Sequence, residues 1–394
     1  MNASLTAVAS LATRQLLETL VQFDTTSRNS NLELIDFVSG FLRKIGVRSD
    51  YSYDRDRRKA NLFATIGEGP RPGLILSGHT DVVPVDGQSW STDPFRLEER
   101  DGRFYGRGTC DMKGFIAVIL GKAAAIQRAG LPTPIHLALS YDEEVGCLGV
   151  RPLIASLGER GLQVRGCIVG EPTSMSPVNG HKGKRGYRAC VTGKSAHSSV
   201  LPLGVNAIEH AADLILHLRA MAETLEHAET DAAFDVPYTT LTTTLISGGI
   251  ATNTIPADCG FSFEYRFLPD ADPDKILADI RHYIATQIEP RMHRGDPATG
   301  IDLREIIAYP PLKDSPADLL AQVCRWSGGE PPRKTAFGTE AGLFAEAGYP
   351  SIVCGPGNIR QAHRPDEYVE IEQLVKCERF IDGLIADLSI EVPK

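Results

Sequence analysis

An apolar run, Leu74–Leu76, passes through Ser77 and Gly78 and ends in two polar residues, His79 and Asp81. Along a strand, residues i and i+2 share a face, so an imidazole and a carboxylate would lie side by side. The acid can fix the ring's tautomer and leave the other nitrogen free to bind something. Taken alone, the pair reads at least as well as a loop histidine held by a nearby acid. Residues of the same chemistry recur further along. Asp111 precedes a helical pattern beginning near Met112, Glu143 and Glu144 follow IHLALSYD, Glu171 follows CIVG, and His363 follows SIVCGPGNIRQA. Each has a plain alternative: Asp111 as a helix N-cap, the acids at 142–144 as a solvated turn, Glu171 as the start of a turn before Pro172, His363 as a structural histidine. Jointly these alternatives are poor. Most of the residues fall just past the C-terminal ends of predicted parallel strands, where open α/β sheets place their ligand crevice. Carboxylates converging there would repel one another unless a cation sat among them.

Two histidines and three carboxylates, with no thiolate, form a ligand set suited to zinc, cobalt or manganese. That is too many for one tetrahedral ion with an open position. It fits two ions about 3.5–4 Å apart that share a bridging carboxylate. Such a pair polarises a carbonyl and supplies a water nucleophile at neutral pH, and a spare carboxylate beside the ligands can take the water's proton. On this reading His79 binds metal and Asp81 orients it.

The elements that would position these residues alternate between helix and strand. NLELIDFVSGFLRKIGV is an amphipathic helix, ANLFATIG and GLILSGH are strands, and MKGFIAVILGKAAAIQRAG is a helix that Gly130 can terminate. IHLALSYDEE and GCIVGEPTS are apolar strands that end in acids. Strands alternating with helices predict an α/β domain whose mixed, mainly parallel sheet is flanked by helices. From about Gly180 the pattern changes to strand, helix, strand, strand, helix: RGYRACVTGKSAHSS, VNAIEHAADLILHLRAMAETL, TTLTTTLISGG, CGFSFEYRFLP and DPDKILADIRHYIATQI. That order is compatible with an inserted α+β domain of split βαβ, ferredoxin-like type. The expected organisation is therefore a discontinuous catalytic domain, residues 1–179 and 291–394, interrupted by an insert at 180–290.

The chain has 394 residues, 42% of them hydrophobic and 23% charged, enough for more than one domain of ordinary soluble composition. Its formal net charge of -9 argues against nucleic-acid and anionic-membrane partners. Eight cysteines are scattered without a C-x-x-C pair, which favours a reducing compartment over a disulfide framework or a thiolate metal site. The N-terminal MNASLTAVASLATRQLLETLVQFDTTS lacks a basic leader and reads as an amphipathic helix rather than a signal peptide. The expected location is the cytoplasm.

Five segments in this order, SGHTDVVP, GRGTCDMKG, DEEVG, GEPT and AHRPDEYV, resemble the motifs of the di-zinc amidohydrolases and peptidases. That family includes aminoacylases, acetylornithine deacetylases, succinyl-diaminopimelate desuccinylases and glutamate carboxypeptidases. The resemblance covers nearly the whole chain. It implies that His79, Asp111 and Glu171 bind one divalent ion and that a bridging Asp111, Glu144 and His363 bind a second, zinc or else cobalt. It implies Glu143 as general base and Asp81 as support for His79. The insert resembles the family's lid and dimerisation domain, implying a homodimer in which His197, from GKSAHSS, reaches an active site. Asn253 in GGIATNTIP and Arg266 in FEYRFLP occupy what look like substrate-facing positions. FGTEAGLF and GPGNIRQAHRPDEYV look most like the acetylornithine deacetylases within the family. This implies hydrolysis of N-acetyl-L-ornithine in arginine biosynthesis, with other amide hydrolyses of the family as the alternative. Glu340, in FGTEAGLF, is the acid expected to face the substrate's cationic side chain, or else to cap the following helix.

Overall fold

The computed structural model describes residues 8–390. Residues 1–7, the start of the expected N-terminal helix, lie outside the described residues. The helix itself spans Leu11–Gln22, and Ser10 caps it by accepting the Thr13 N–H. The chain divides into two compact units, one of Met1–Gly180, Leu312–Lys334 and Thr339–Lys394, the other of His181–Pro311 and Thr335–Gly338.

The first unit is built on an eight-stranded sheet. Its spatial order is Ser49–Tyr53, Ala60–Ile66, Ile135–Ser140, Gly73–His79, Val164–Val169, Ser351–Val353, Val178–His181 and Arg333–Thr335. The central strands Ile135–Ser140, Gly73–His79, Val164–Val169 and Ser351–Val353 run parallel, with antiparallel neighbours on either side. Every residue of Gly73–His79 and of Ile135–Ser140 is buried. That explains their near-continuous apolar sequences, because a central parallel strand is covered on both faces. Phe115, Ile116 and Ile119 of helix Lys113–Ala129 and Phe380, Ile381 and Leu384 of helix Ile371–Ile390 fill the same core as Leu74, Leu76 and Leu137. Gly130 ends its helix in the left-handed region, φ 58°, as expected of a C-terminal glycine. A small antiparallel sheet, ordered Tyr368–Glu370, Arg103–Tyr105 and Glu98–Arg100, pairs the segment before Asp111 with the segment after His363.

The second unit holds a four-stranded antiparallel sheet in the order Thr240–Gly248, Asp258–Phe267, Gly183–Thr192 and Gly300–Tyr309. Leu214 and Leu218 of helix Ala207–Glu226 pack with Ile276 and Ile280 of helix Pro273–Tyr283 and with Tyr187, Phe261 and Phe263 of the sheet. Here the sequence reading needs correction. The insert does not end at 290, because Gly300–Tyr309 pairs with Gly183–Thr192 and completes the ferredoxin-like order. This strand, GIDLREIIAY, lies at the sheet edge, and of its apolar residues only Tyr309 is buried, so its apolar content does not show which unit it joins. Among the described residues, no helix is long and apolar enough to cross a membrane.

Candidate metal centre

The residues at the C-terminal ends of the central strands come together. His79 ends its strand, Glu143 and Glu144 lie in the turn after Ile135–Ser140, and Glu171 follows Val164–Val169. Asp111 comes from the loop before helix Lys113–Ala129, which it enters through a cis peptide to Met112. Met112, not Asp111, is the N-cap residue of that helix, so capping does not account for the aspartate. His363 sits in a left-handed loop conformation, φ 63°, between Ser351–Val353 and Tyr368–Glu370.

Asp111 stands between the two histidines. Its Oδ1 lies 2.9 Å from His79 Nε2 and its Oδ2 3.4 Å from His363 Nε2. Glu171 Oε1 is 3.6 Å from His79 Nε2, and Glu144 Oε2 is 2.9 Å from His363 Nε2. Two ligands each about 2.0–2.1 Å from one tetrahedral ion stand about 3.3 Å apart, and the four observed separations bracket that value. Glu144 Oε1 is buried without a hydrogen-bond partner, as a carboxylate oxygen meant for a cation would be. The donor set therefore fits divalent metal. Ligand atoms of His79, Asp111 and Glu144 lie within 4.8 Å of one another, and so do those of His79, Glu143 and Glu171. Proximity alone does not separate Glu143 from the ligands. The two glutamates differ in their neighbours: Glu143 Oε1 accepts the Cys147 thiol at 3.4 Å, whereas Glu144 faces His363.

The electrostatics are those of a site built around positive charge. Burial, reinforced by the Asp111 charge, pushes Glu144 up to about 8 and Glu171 well above the carboxylate range. Burial likewise raises Glu143 to about 7, with His79 opposing. Burial would raise Asp111 too, but its contacts with His363 and His79 hold it low. Burial disfavours a charged His79, yet hydrogen bonds to Asp111 and Asp81 outweigh it and raise its pKa. His363 rises to about 10 through its contacts with Asp111 and Glu144. In the absence of another cation the histidines take up the positive charge that the carboxylates require.

Asp81 meets His79 through both its main chain and its side chain. The strand stops at His79, so alternation no longer governs Asp81. His79 Nδ1 lies 2.9 Å from the Asp81 carbonyl oxygen but 3.5 Å from its carboxylate. Asp81 thus orients the ring at Nδ1 and leaves Nε2 directed at Asp111. The carboxylate also accepts from Ser27 Oγ at 2.7 Å, Glu143 N at 3.1 Å and Glu144 N at 3.3 Å, anchoring the turn that carries both glutamates. Asp142 pairs with Lys59 at 2.5 Å, so this is not a freely solvated acidic turn.

Glu340 departs from the expectation. Its side chain does not face an open surface: it is 1% exposed, accepts from Ser140 Oγ at 2.5 Å and lies 3.5 Å from Ser77 Oγ. It holds the N-cap position of helix Ala341–Glu346 without making a side-chain capping bond. Burial pushes it up to about 7.

His197, Asn253 and Arg266 belong to the second unit. His197 pairs with Thr254 in a two-stranded ribbon, and Ser198 N donates to the Asn253 carbonyl at 3.0 Å, so the first two are neighbours. His197 is exposed, and its Nδ1 accepts from Ser199 N at 3.2 Å. A neutral ring then carries its proton on Nε2. Arg266 Nε donates to Glu264 Oε1 at 3.1 Å and its Nη1 lies 3.5 Å from the Tyr309 hydroxyl. Ser27 bonds to Asp81, Cys147 to Glu143, and Glu367 to the main chain of Cys110 and Asp111 and to Arg107, so these four adjoin the centre. Ser27 and Cys147 carry no recognisable signal, whereas Arg107 and Glu367 stand inside two of the metal-ligand motifs.

Residues 75–387 match the model of peptidase family M20/M25/M40, and the chain belongs to that family. It is 37% identical over 384 residues to an acetylornithine deacetylase of Myxococcus xanthus, covering 95% of this chain and 97% of that protein. An M20-family metallo-carboxypeptidase from Sulfolobus solfataricus superposes with a TM-score of 0.79 at 18% identity, covering 96% of this chain and 99% of that one. A dinuclear metal-binding M20 peptidase from Bacillus subtilis does so at 0.63 and 14% identity, over 96% and 99% of the two chains.

Proposed function

We propose that this M20-family metallo-hydrolase removes the acetyl group of N-acetyl-L-ornithine, releasing L-ornithine and acetate in arginine biosynthesis in the cytoplasm. The observation that carries the chemistry is Asp111 standing between His79 and His363, with Glu171 and Glu144 on either side and Glu143 close by. The choice of substrate is supported by the acetylornithine deacetylase relative. His79, Asp111 and Glu171 would hold one divalent ion, and Asp111, Glu144 and His363 the other, zinc or cobalt by donor type. When bound, such a pair polarises an amide carbonyl and makes water a competent nucleophile at neutral pH.

The chain's own residues do the rest. Glu143 takes the proton of the attacking water and delivers it to the leaving nitrogen, a role that its place beside His79 and Glu171 allows. Asp81 holds the main chain of Glu143 and Glu144 in place. The insert pairs with that of a second copy, and His197 donates Nε2–H to the oxyanion that develops on the amide carbonyl. Arg266 binds the substrate's α-carboxylate through its guanidinium, and Asn253 lies beside the substrate. No nucleic acid or membrane takes part.

A hydrolysis panel tests the substrate. N-Acetyl-L-ornithine should have a higher kcat/KM than N-succinyl-diaminopimelate, N-acetyl-methionine or a glutamate-terminated peptide. A different ranking would reassign the chain to another amide hydrolysis of the family and leave the two-ion chemistry standing.

A further inference from the structure

Arg107 in GRGTCDMKG and Glu367 in AHRPDEYV have no part in the chemistry above, yet each is only 1% exposed. Arg107 Nη1 donates to Glu367 Oε2 at 2.7 Å. The other carboxylate oxygen, Oε1, accepts the main-chain N–H groups of Cys110 at 2.9 Å and of Asp111 at 3.1 Å. From Arg107 the network continues toward the other loop. Nη1 lies 3.4 Å from the Arg364 carbonyl, and Nη2 donates to Gln88 Oε1 at 2.5 Å. Gln88 Nε2 in turn donates to the carbonyl of His363 at 2.9 Å. Trp90 closes the network, with its ring 5.0 Å from the guanidinium carbon and its Nε1–H on Gln88 Oε1 at 3.0 Å.

A buried ion pair is poor value as a stabiliser, because desolvation offsets much of its attraction and apolar residues of like volume often do as well. Its location offers a better reason. His79 is held by its strand and Glu171 directly follows one, but Asp111 and His363 lie on separate loops. The His363 side chain is 52% exposed, so packing does little to fix it. Ligands have to be held within about 0.5 Å of their working geometry.

We propose that Arg107 and Glu367 are positioning residues that clamp the Asp111 loop to the His363 loop. The clamp positions two ligands, Asp111 and His363, of the ion held with Glu144 and one ligand, Asp111, of the ion held with His79 and Glu171, so it bears more heavily on the affinity of the first. This rests on the two-ion reading above.

The test is zinc titration of the full-length metal-free protein against a chromophoric chelator, with elemental analysis of the loaded protein and unfolding in excess chelator as a control for the fold. Wild-type protein should show two ions. Glu367→Gln and Arg107→Lys should weaken one of them about 10- to 100-fold, as loss of a partner behind a metal ligand does, and change the other by a few-fold at most. Turnover should recover as zinc is raised. Gln88→Leu, at a partly exposed position, cuts the links from Arg107 and Trp90 to the His363 carbonyl and leaves the Arg107–Glu367 pair intact, so it gives the same one-ion signature should either buried variant fail to fold. Two unchanged affinities, or two equally weakened ones, in a folded variant overturn the clamp. A single ion in the wild-type protein overturns the two-ion reading and the clamp with it.

Discussion

Glu143→Gln keeps the shape of a side chain and removes its capacity to take a proton, so it should move activity and stability in opposite directions. Loss of a general base typically costs 10²–10⁴ in rate, or about 3–5 kcal/mol of barrier. The stability change follows from burial, which raises the Glu143 pKa from 4.5 to about 7 in the metal-free fold. Below about pH 4.5 the carboxyl is protonated whether the chain is folded or not and contributes no difference. As pH rises toward 7, the unfolded chain gives up the proton while the fold retains it, and the native state is progressively penalised; above about 7 the penalty is complete. At about 1.4 kcal/mol per pH unit its ceiling is about 3 kcal/mol. Glu143 keeps some contact with solvent, so about 1–3 kcal/mol is the expected range. Chelator-stripped Glu143→Gln should therefore be more stable than the parent by that amount at pH 8 and equal to it near pH 4, measured by urea unfolding. Zinc-loaded Glu143→Gln should retain its metal and lose most of its kcat. A variant that is less stable than the parent at pH 8 refutes the desolvated carboxylate, and near-normal turnover refutes the base.

Two further outcomes follow from the same geometry. Glu144→Ala should lose one ion while Glu143→Gln loses none, and chelation of the parent should abolish activity that zinc or cobalt restores; elemental analysis showing at most one ion in the active parent would remove the bridging role of Asp111. Mixing inactive His197→Ala with inactive Glu143→Ala protein should restore part of the activity if His197 serves the partner's site; absence of rescue after demonstrated subunit exchange would confine His197 to its own chain or to no catalytic role.

The convergence of these side chains at one end of the first unit is legible because parallel strands leave a strong mark. Leu74–Leu76 and Ile135–Leu139 are buried on both faces, so their apolar runs end abruptly where the polar residues begin. Edge elements leave an ambiguous mark: Gly300–Tyr309 is rich in apolar residues, but Ile306 is exposed and most of the others are half-buried, so its sequence does not say which sheet it joins. The surroundings of Asp81 and Glu340 escape the sequence for a different reason. Sequence shows that a carboxylate is near a site, but not which donors surround it. Asp81 meets the N–H groups of Glu143 and Glu144, and Glu340 meets Ser140 and Ser77, which lie on the neighbouring strands that also carry or precede the metal-binding residues. Both acids therefore serve the scaffold beneath the centre rather than its outer face. Arg107 and Glu367 show the same limit in reverse. They stood in plain view inside two motifs, but a buried pair spanning residues 107 and 367 becomes visible only when the fold brings the two loops together.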